Sequence, residues 1–214
     1  MEDRQPTGLW LEMWPADESS VRQRAGVLRD AGLGPVHWFA NCRRDRDDLP
    51  RRLDEFDLLV VAECEAADVE AAYATLPAGD GRTLGFRRYP RASQGALSPH
   101  PTAGLLLVLI SPKTPDQAQA LRDWADFVHL RHIAAAAVPG YSVITPYECV
   151  TAAEPRFMHF YEMDADDPEA TFKAMTPLVG ERLGGFESEE FRAWAGHPAL
   201  RIEYVNTFRR IGRA

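Results

Sequence analysis

The feature that most constrains the fold of this chain is an internal echo. The segment Val60 to Leu76 aligns with His159 to Met175 at a constant shift of 99 residues (159 less 60). Glu63 falls on Glu162, Asp68 on Asp167, Glu70 on Glu169, Ala71 on Ala170 and Tyr73 on Phe172. Phe86-Arg87-Arg88 has a counterpart in Phe208-Arg209-Arg210, and a glycine follows the first helical pattern of each half, Gly34 and Gly140. Self-similarity at a fixed spacing marks a repeated structural unit, so the chain is expected to build two like halves.

Hydrophobic periodicity gives each half the same order of elements. In the first half, strands are predicted at 8–14, 36–42, 56–64 and 83–89, with helices at 17–31 and 66–76. Asp17 or Ser19 can cap the first helix, Val21, Ala25 and Leu28 form its apolar stripe, and Gly32 and Gly34 stop it. In the second half, strands are predicted at 104–111, 141–150, 157–163 and 202–210. A long helix spans 115–137, with Thr114 as cap, Pro115 in the first turn and Gln117 three after the cap. Asp167-Pro168 opens a helix running to Met175, and Ser188 starts a short one. The order is βαββαβ twice, an α+β pattern of two tandem ferredoxin-like halves, each a four-stranded antiparallel sheet with helices on one face. The halves are placed at 8–91 and 103–212, with a Pro-, Ser- and Gly-bearing linker at 92–102. The uncovered sheet faces are expected to pack against each other, leaving a small-molecule cavity between the sheets.

Bulk properties remove several function classes. A net charge of −8 argues against non-specific nucleic-acid binding. The longest apolar run, 104–110, is too short to span a bilayer. The polar N-terminus lacks a leader pattern, so a cytoplasmic protein is expected. Cys42, Cys64 and Cys149 form no CxxC pair and read as free thiols. GxGxxG, GxxxxGK[ST], GxSxG and HExxH are all missing, so dinucleotide, P-loop, α/β-hydrolase and zincin chemistry lack their motifs.

The second half carries a family resemblance. Asp123-Trp124-Ala-Asp-Phe-Val-His129 followed by Val138-Pro139-Gly140-Tyr141 resembles the "WY…H…PG(F/Y)" signature of EthD-like members of the dimeric α/β-barrel superfamily. Phe157-Met-His-Phe-Tyr161-Glu162 is similar to that family's third strand, and Tyr204 to Ile211 to its closing strand. This chain departs from the pattern at Ala125, Val128 and Arg131. The resemblance implies a barrel completed within one chain, compatible with a homodimer. It also implies a small-molecule activity drawn from lactone isomerases, cyclases, cofactor-free oxygenases or haem proteins.

The candidate site residues follow from chemistry and placement. His129 and His132 lie three apart on the long helix; on a helical wheel His132 joins Leu121, Ala125 and Val128 on the apolar face, with His129 at its edge. Either can serve as a general base. His159, Phe157 and Tyr161 share one strand face, Phe160 and Glu162 the other. Glu63 and Glu162 form a duplicated carboxylate position, readable as an acid–base pair or as partners of Arg87 and Arg209. Tyr141, Tyr147, Trp124, Glu12, His37 and Trp38 are candidate substrate contacts; Glu12 lies between Trp10 and Trp14 on one strand face. Two histidines without a third ligand do not make a metal site. The expected function is a cofactor-independent enzyme performing isomerisation, cyclisation, dehydration or substrate-driven oxygenation on a small apolar or aromatic metabolite. The alternatives are a non-catalytic binding protein and a haem-binding α/β-barrel.

Overall fold

Strict alternation of side chains along eight strands decides the architecture. The computed structural model describes residues 6–15, 17–77, 79–89, 94–95 and 102–214. The first half contributes β1 (Gly8–Trp14), α1 (Glu18–Asp30), β2 (Val36–Asn41), β3 (Leu58–Cys64), α2 (Ala66–Thr75) and β4 (Arg82–Arg88). A two-residue strand β5 (Gln94–Gly95) precedes β6 (Gly104–Pro112). One continuous helical rod follows: a 3-10 turn (Pro115–Gln117), α3 (Ala118–Trp124), a π-helical turn (Ala125–Leu130) and α4 (Arg131–Ala136). The chain ends with β7 (Tyr141–Cys149), β8 (Phe157–Met163), α5 (Pro168–Arg182), α6 (Glu189–Ala195) and β9 (Leu200–Arg213). Most of the 92–102 linker lies outside the described residues.

All strand pairs are antiparallel, in the order β4-β1-β3-β2-β9-β6-β8-β7-β5. Pairing of Phe86, Arg87 and Arg88 on β4 with Cys149, Glu148 and Tyr147 on β7 closes eight of the strands into a barrel. The other seam is β2 on β9, where Asn41 pairs with Phe208. The first four strands stand in the order β4-β1-β3-β2 and the last four in the equivalent order β9-β6-β8-β7. Strands β3 and β8 keep the shift of 99, since Leu58 falls on Phe157 and Cys64 on Met163.

The interior-facing residues form one apolar cluster, including Leu9, Leu11, Leu59, Val61, Phe86, Leu105, Leu107, Met158, Phe160, Tyr204 and Phe208. Phe56 stacks on Tyr204 and Phe208 at centroid distances of 4.8 and 5.3 Å. The barrel interior is therefore a packed core, and the cavity expected between the sheets is not found among the described residues. Large inward side chains from eight strands fill a barrel of this size. The outward faces pack under helices: α1 and α2 cover the first unit, and the rod, α5 and α6 cover the second.

Several sequence expectations require correction. Helix α5 continues through Pro177 to Arg182 instead of stopping at Met175. Pro177 removes one backbone donor, but burial of Met175, Val179 and Gly180 outweighs that loss. Thr114 precedes the rod without a side-chain cap bond; its carbonyl accepts from the Gln117 amide instead. Asp17 and Asp167 do cap α1 and α5, accepting from the backbone N–H of Ser19 and Ala170. Among the described residues no helix is long and apolar enough to cross a membrane.

Because Phe208 is fully buried at the β2–β9 seam and stacked on Phe56, Phe208→Ala is expected to destabilise the fold by about 3–5 kcal/mol. Urea unfolding followed by circular dichroism measures this.

Candidate functional site

The two outward faces of the barrel solve the same packing problem with opposite choices. On the first unit, Trp10 pairs with Ala62, Glu12 with Val60 and Trp14 with Leu58 across β1 and β3. On the second, Leu106 pairs with Tyr161, Val108 with His159 and Ile110 with Phe157 across β6 and β8. The bulky partner has moved from the first strand of the unit to the third. Gly8 and Gly104 open the two units, and a Cβ on either would collide with the second helix of its unit, with α2 at Val69 Cγ2 (2.6 Å) and with α5 at Pro168 Cγ (2.3 Å).

On the first unit the space under the helices is filled. Glu12 is wholly buried, ion-paired with Arg24 at 2.7 Å, and accepts from the indole N–H of Trp10 (2.9 Å) and Trp14 (3.2 Å). Its five hydrogen bonds to these partners give it a structural role. Trp38 lies in the same apolar cluster. His37 lies on β2, its Nε2 3.9 Å from Glu63. Burial and the nearby Arg213 and Arg210 push its pKa down to about 4. None of Glu12, His37 and Trp38 lines the second unit's cavity.

On the second unit the smaller β6 side chains leave a cavity of about 260 Å³ between the sheet and the helices. Its walls are apolar, with Leu106, Val108, Phe172, Met175 and Trp194 prominent. The polar groups are His129, His159, Tyr161 and Thr176; among the described residues no charged side chain lines it. His159 and Tyr161 are almost fully buried, and neither has a side-chain hydrogen bond among the described residues. Their rings meet edge to face at 6.5 Å. Tyr141 backs the wall, with its ring 5.6 Å from Tyr161 and its hydroxyl donating to Met175 Sδ at 3.6 Å.

The π-helical turn delivers His129 to this cavity. Its wider turn carries one more residue than an α-turn, so the apolar stripe advances by one position. Leu130 and Ile133 are buried and His129 reaches the cavity, while Val128 packs half-buried against the cluster of Leu121, Trp124 and Ala125. His132, expected on the apolar face, is only half-buried and does not line the cavity. The His129 ring stacks on Trp194 (5.1 Å, 7°) and lies 5.0 Å from Trp124, which also stacks with His197 at 5.6 Å. His129 Nδ1 lies 3.0 Å from the Trp194 carbonyl, and the Trp194 indole N–H donates back to the His129 carbonyl at 3.1 Å. A carbonyl only accepts, so this contact is a hydrogen bond in the tautomer that carries its proton on Nδ1.

Electrostatics keep the site neutral. Burial pushes the His129 pKa down to about 4, against a smaller opposing effect of the Trp194 carbonyl. Burial, with a further contribution from His129, takes His159 to about 3. Burial raises the Tyr161 phenol above its usual range, so it stays a donor.

The other sequence candidates lie elsewhere. Tyr147 faces the barrel interior, and its hydroxyl donates to the Pro6 carbonyl at 3.4 Å. Phe157 stands beside His159 under the Arg122 guanidinium, 4.6 Å from its ring. Glu63 and Glu162 sit near the same end of the barrel, close enough that Glu162 and, more strongly, burial raise the Glu63 pKa. Burial also raises Glu162, which accepts from Thr102 Oγ1 at 2.7 Å. Sequence reading missed Leu49, Phe172, Thr176, Phe191 and Trp194 as lining residues. The i, i+3 pair Phe191 and Trp194 on α6 was the available signal.

Neither a protein-family model nor a curated protein matches the sequence. Solved structures do match the fold. A candidate monooxygenase from Fusobacterium nucleatum subsp. nucleatum superposes with a TM-score of 0.53 at 6% identity, over 96% of this chain and 92% of that one. A mutant chlorite dismutase from Candidatus Nitrospira defluvii gives 0.57 at 12% identity, over 98% and 93%. An anthrone oxidase-like protein gives 0.53 at 16% identity, over 100% and 94%. The chain has the dimeric α/β-barrel fold.

Some proteins of this fold carry haem, and the cavity does not fit one. Its 260 Å³ lies below the roughly 300–1,000 Å³ of ordinary ligand pockets, and its lining offers no Arg or Lys to the propionates. Among the described residues no cluster of three or more His, Cys, Asp or Glu could hold a metal ion.

The histidine shifts have a stability consequence. His129 binds its proton near pH 4 when folded but near 6.5 when unfolded. Between these values the unfolded chain holds more protons, so stability falls as pH falls. His129 alone should lose on the order of 3 kcal/mol between pH 7 and pH 4. Chemical denaturation should show a shallower acid loss in His129→Gln than in the parent.

Proposed function

We propose that the cavity of the second unit is the active site of a cofactor-independent enzyme that removes a proton from a small, neutral aromatic or enolic substrate. The observation carrying this reading is the meeting of His129, His159 and Tyr161 on one apolar cavity. A neutral imidazole of lowered pKa is a weak base toward water-exposed acids. Inside an apolar cavity, the imidazolium and the substrate anion form together as a close ion pair, whose attraction is strong at low dielectric. Tyr161, held in its phenol form, would donate to the oxygen on which charge develops. The names of two neighbours, a candidate monooxygenase and an anthrone oxidase-like protein, favour substrate-driven oxygenation. In that reaction the deprotonated substrate itself supplies electrons to dioxygen. Isomerisation, cyclisation and dehydration would share the first step.

The same proposal assigns the chain to the EthD-like group, with ferredoxin-like halves at 8–91 and 103–212 joined through 92–102. The equivalent strand orders and the shared shift of 99 between β3 and β8 support it.

The test is turnover of an anthrone or hydroxynaphthalene panel, followed by product absorbance and oxygen uptake. His129→Ala and His159→Ala should each lower kcat/KM by about 10²–10⁴-fold. Activity should be level from neutral pH down to about 5 and fall as His129 protonates near 4. Turnover surviving both substitutions would exclude the base assignment. Ligands released chemically unchanged would make the cavity a binding site only.

A further inference from the structure

Helix α6 is a short segment tied to the site by few contacts. It follows Gly184 and Gly185, both at positive φ (+84° and +101°), and ends at Gly196. It places Phe191, Trp194 and Ala195 on the cavity wall. Its polar ties to the rod are the Trp124 indole N–H donating to the Ala193 carbonyl at 2.7 Å and the reciprocal His129–Trp194 pair. These ties converge on the π-helical turn that presents His129 and on Trp124 immediately before it.

We propose that Trp194 is a positioning residue for His129: when α6 is seated, the Trp194 carbonyl selects the Nδ1–H form of the imidazole and leaves Nε2 as the lone-pair nitrogen for the cavity. Which ring nitrogen of a neutral histidine carries the proton is set by the hydrogen bond the other environment offers. Here Nδ1 meets only an acceptor, at 3.0 Å. Trp194, parallel to the ring at 5.1 Å, and Trp124, tilted against it at 5.0 Å, restrict its rotation. The indole N–H of the same residue, bonded to the His129 carbonyl, holds the acceptor in place. That carbonyl belongs to the π-helical turn, so one residue engages both the ring and the backbone of the proposed base. The inference rests on the cavity reading above, but it concerns the ring's protonation and does not require turnover to be observed.

The experiment is two-bond ¹⁵N–¹H spectroscopy of histidine-labelled protein at pH 7, with the His129 signal assigned through His129→Gln. The parent should show His129 as the Nδ1–H tautomer. Trp194→Phe keeps the ring stack but removes the tether, and should move His129 to a mixture containing Nε2–H. Its kcat/KM should fall about 10–100-fold. Phe186→Leu perturbs the approach to α6 outside the cavity, where Phe186 packs on Gly180 and Phe191. It should leave the tautomer unchanged, which a merely structural account of Trp194 does not foresee. If Trp194→Phe fails to fold, Trp124→Phe removes the Ala193 tether and must give the same shift. An Nε2–H signal in the parent, or an unchanged spectrum in the folded tether variant, would overturn the proposal. An Nδ1–H parent whose His129→Gln variant still turns over would instead remove the catalytic reading and leave this inference standing.

Discussion

Closure of the sheet is the constraint on which the rest of the structure depends. Once β4 pairs with β7 and β2 with β9, each of the eight barrel strands has a neighbour on both sides, and only the two-residue β5 adds an edge among the described residues. The inward side chains then have only each other to pack against, and an eight-stranded barrel is narrow enough for them to fill it. A ligand site must therefore lie outside the barrel, beneath the helices. The orientation of His159 and Tyr161 away from Met158 and Phe160 follows from the same alternation.

The two units show how one backbone scheme can hold either a core or a cavity. In the first, two indoles on β1 occupy the volume under the helices, and the buried Glu12 between them is neutralised by Arg24. In the second, leucine, valine and isoleucine stand at the corresponding places on β6, and the larger groups on β8 do not regain all of that volume. Tyr73 and Phe172 mark the same contrast on the helices. Tyr73 packs on Trp10 at 6.0 Å, whereas Phe172 borders the cavity. Side-chain volume at three cross-strand pairs separates the filled face from the open one.

Much of this was legible in the sequence. Period-two alternation gave the eight barrel strands, and the echo of Glu63 to Tyr73 in Glu162 to Phe172 gave their twofold order. The placement of the site was less legible, for identifiable reasons. Alternation tells which residues share a strand face but not which face meets a helix, so the inter-sheet interior was expected to hold the cavity. A helical wheel assumes 3.6 residues per turn, and the π-helical turn at 125–130 breaks that assumption. It exchanges His132 for Ile133 and brings His129 inward. The persistence of α5 past Pro177 depends on tertiary packing, which local propensity does not contain.

The burial of His159 is the most informative energetic fact in the site. A polar ring removed from water without a hydrogen-bond partner costs about 1–3 kcal/mol. The fold does not require that cost, because the equivalent position on β3 is Val60, fully buried and packed among aliphatic neighbours. A valine at 159 would pack against β6 as Val60 packs against β1. The second unit instead keeps an imidazole there, next to a phenol and facing a second imidazole whose tautomer is fixed by Trp194. Packing accounts for a residue of that size and shape, but not for an imidazole whose ring nitrogens make no hydrogen bond among the described residues at an apolar cavity wall. The partner that satisfies them is best sought in the molecule that fills the cavity.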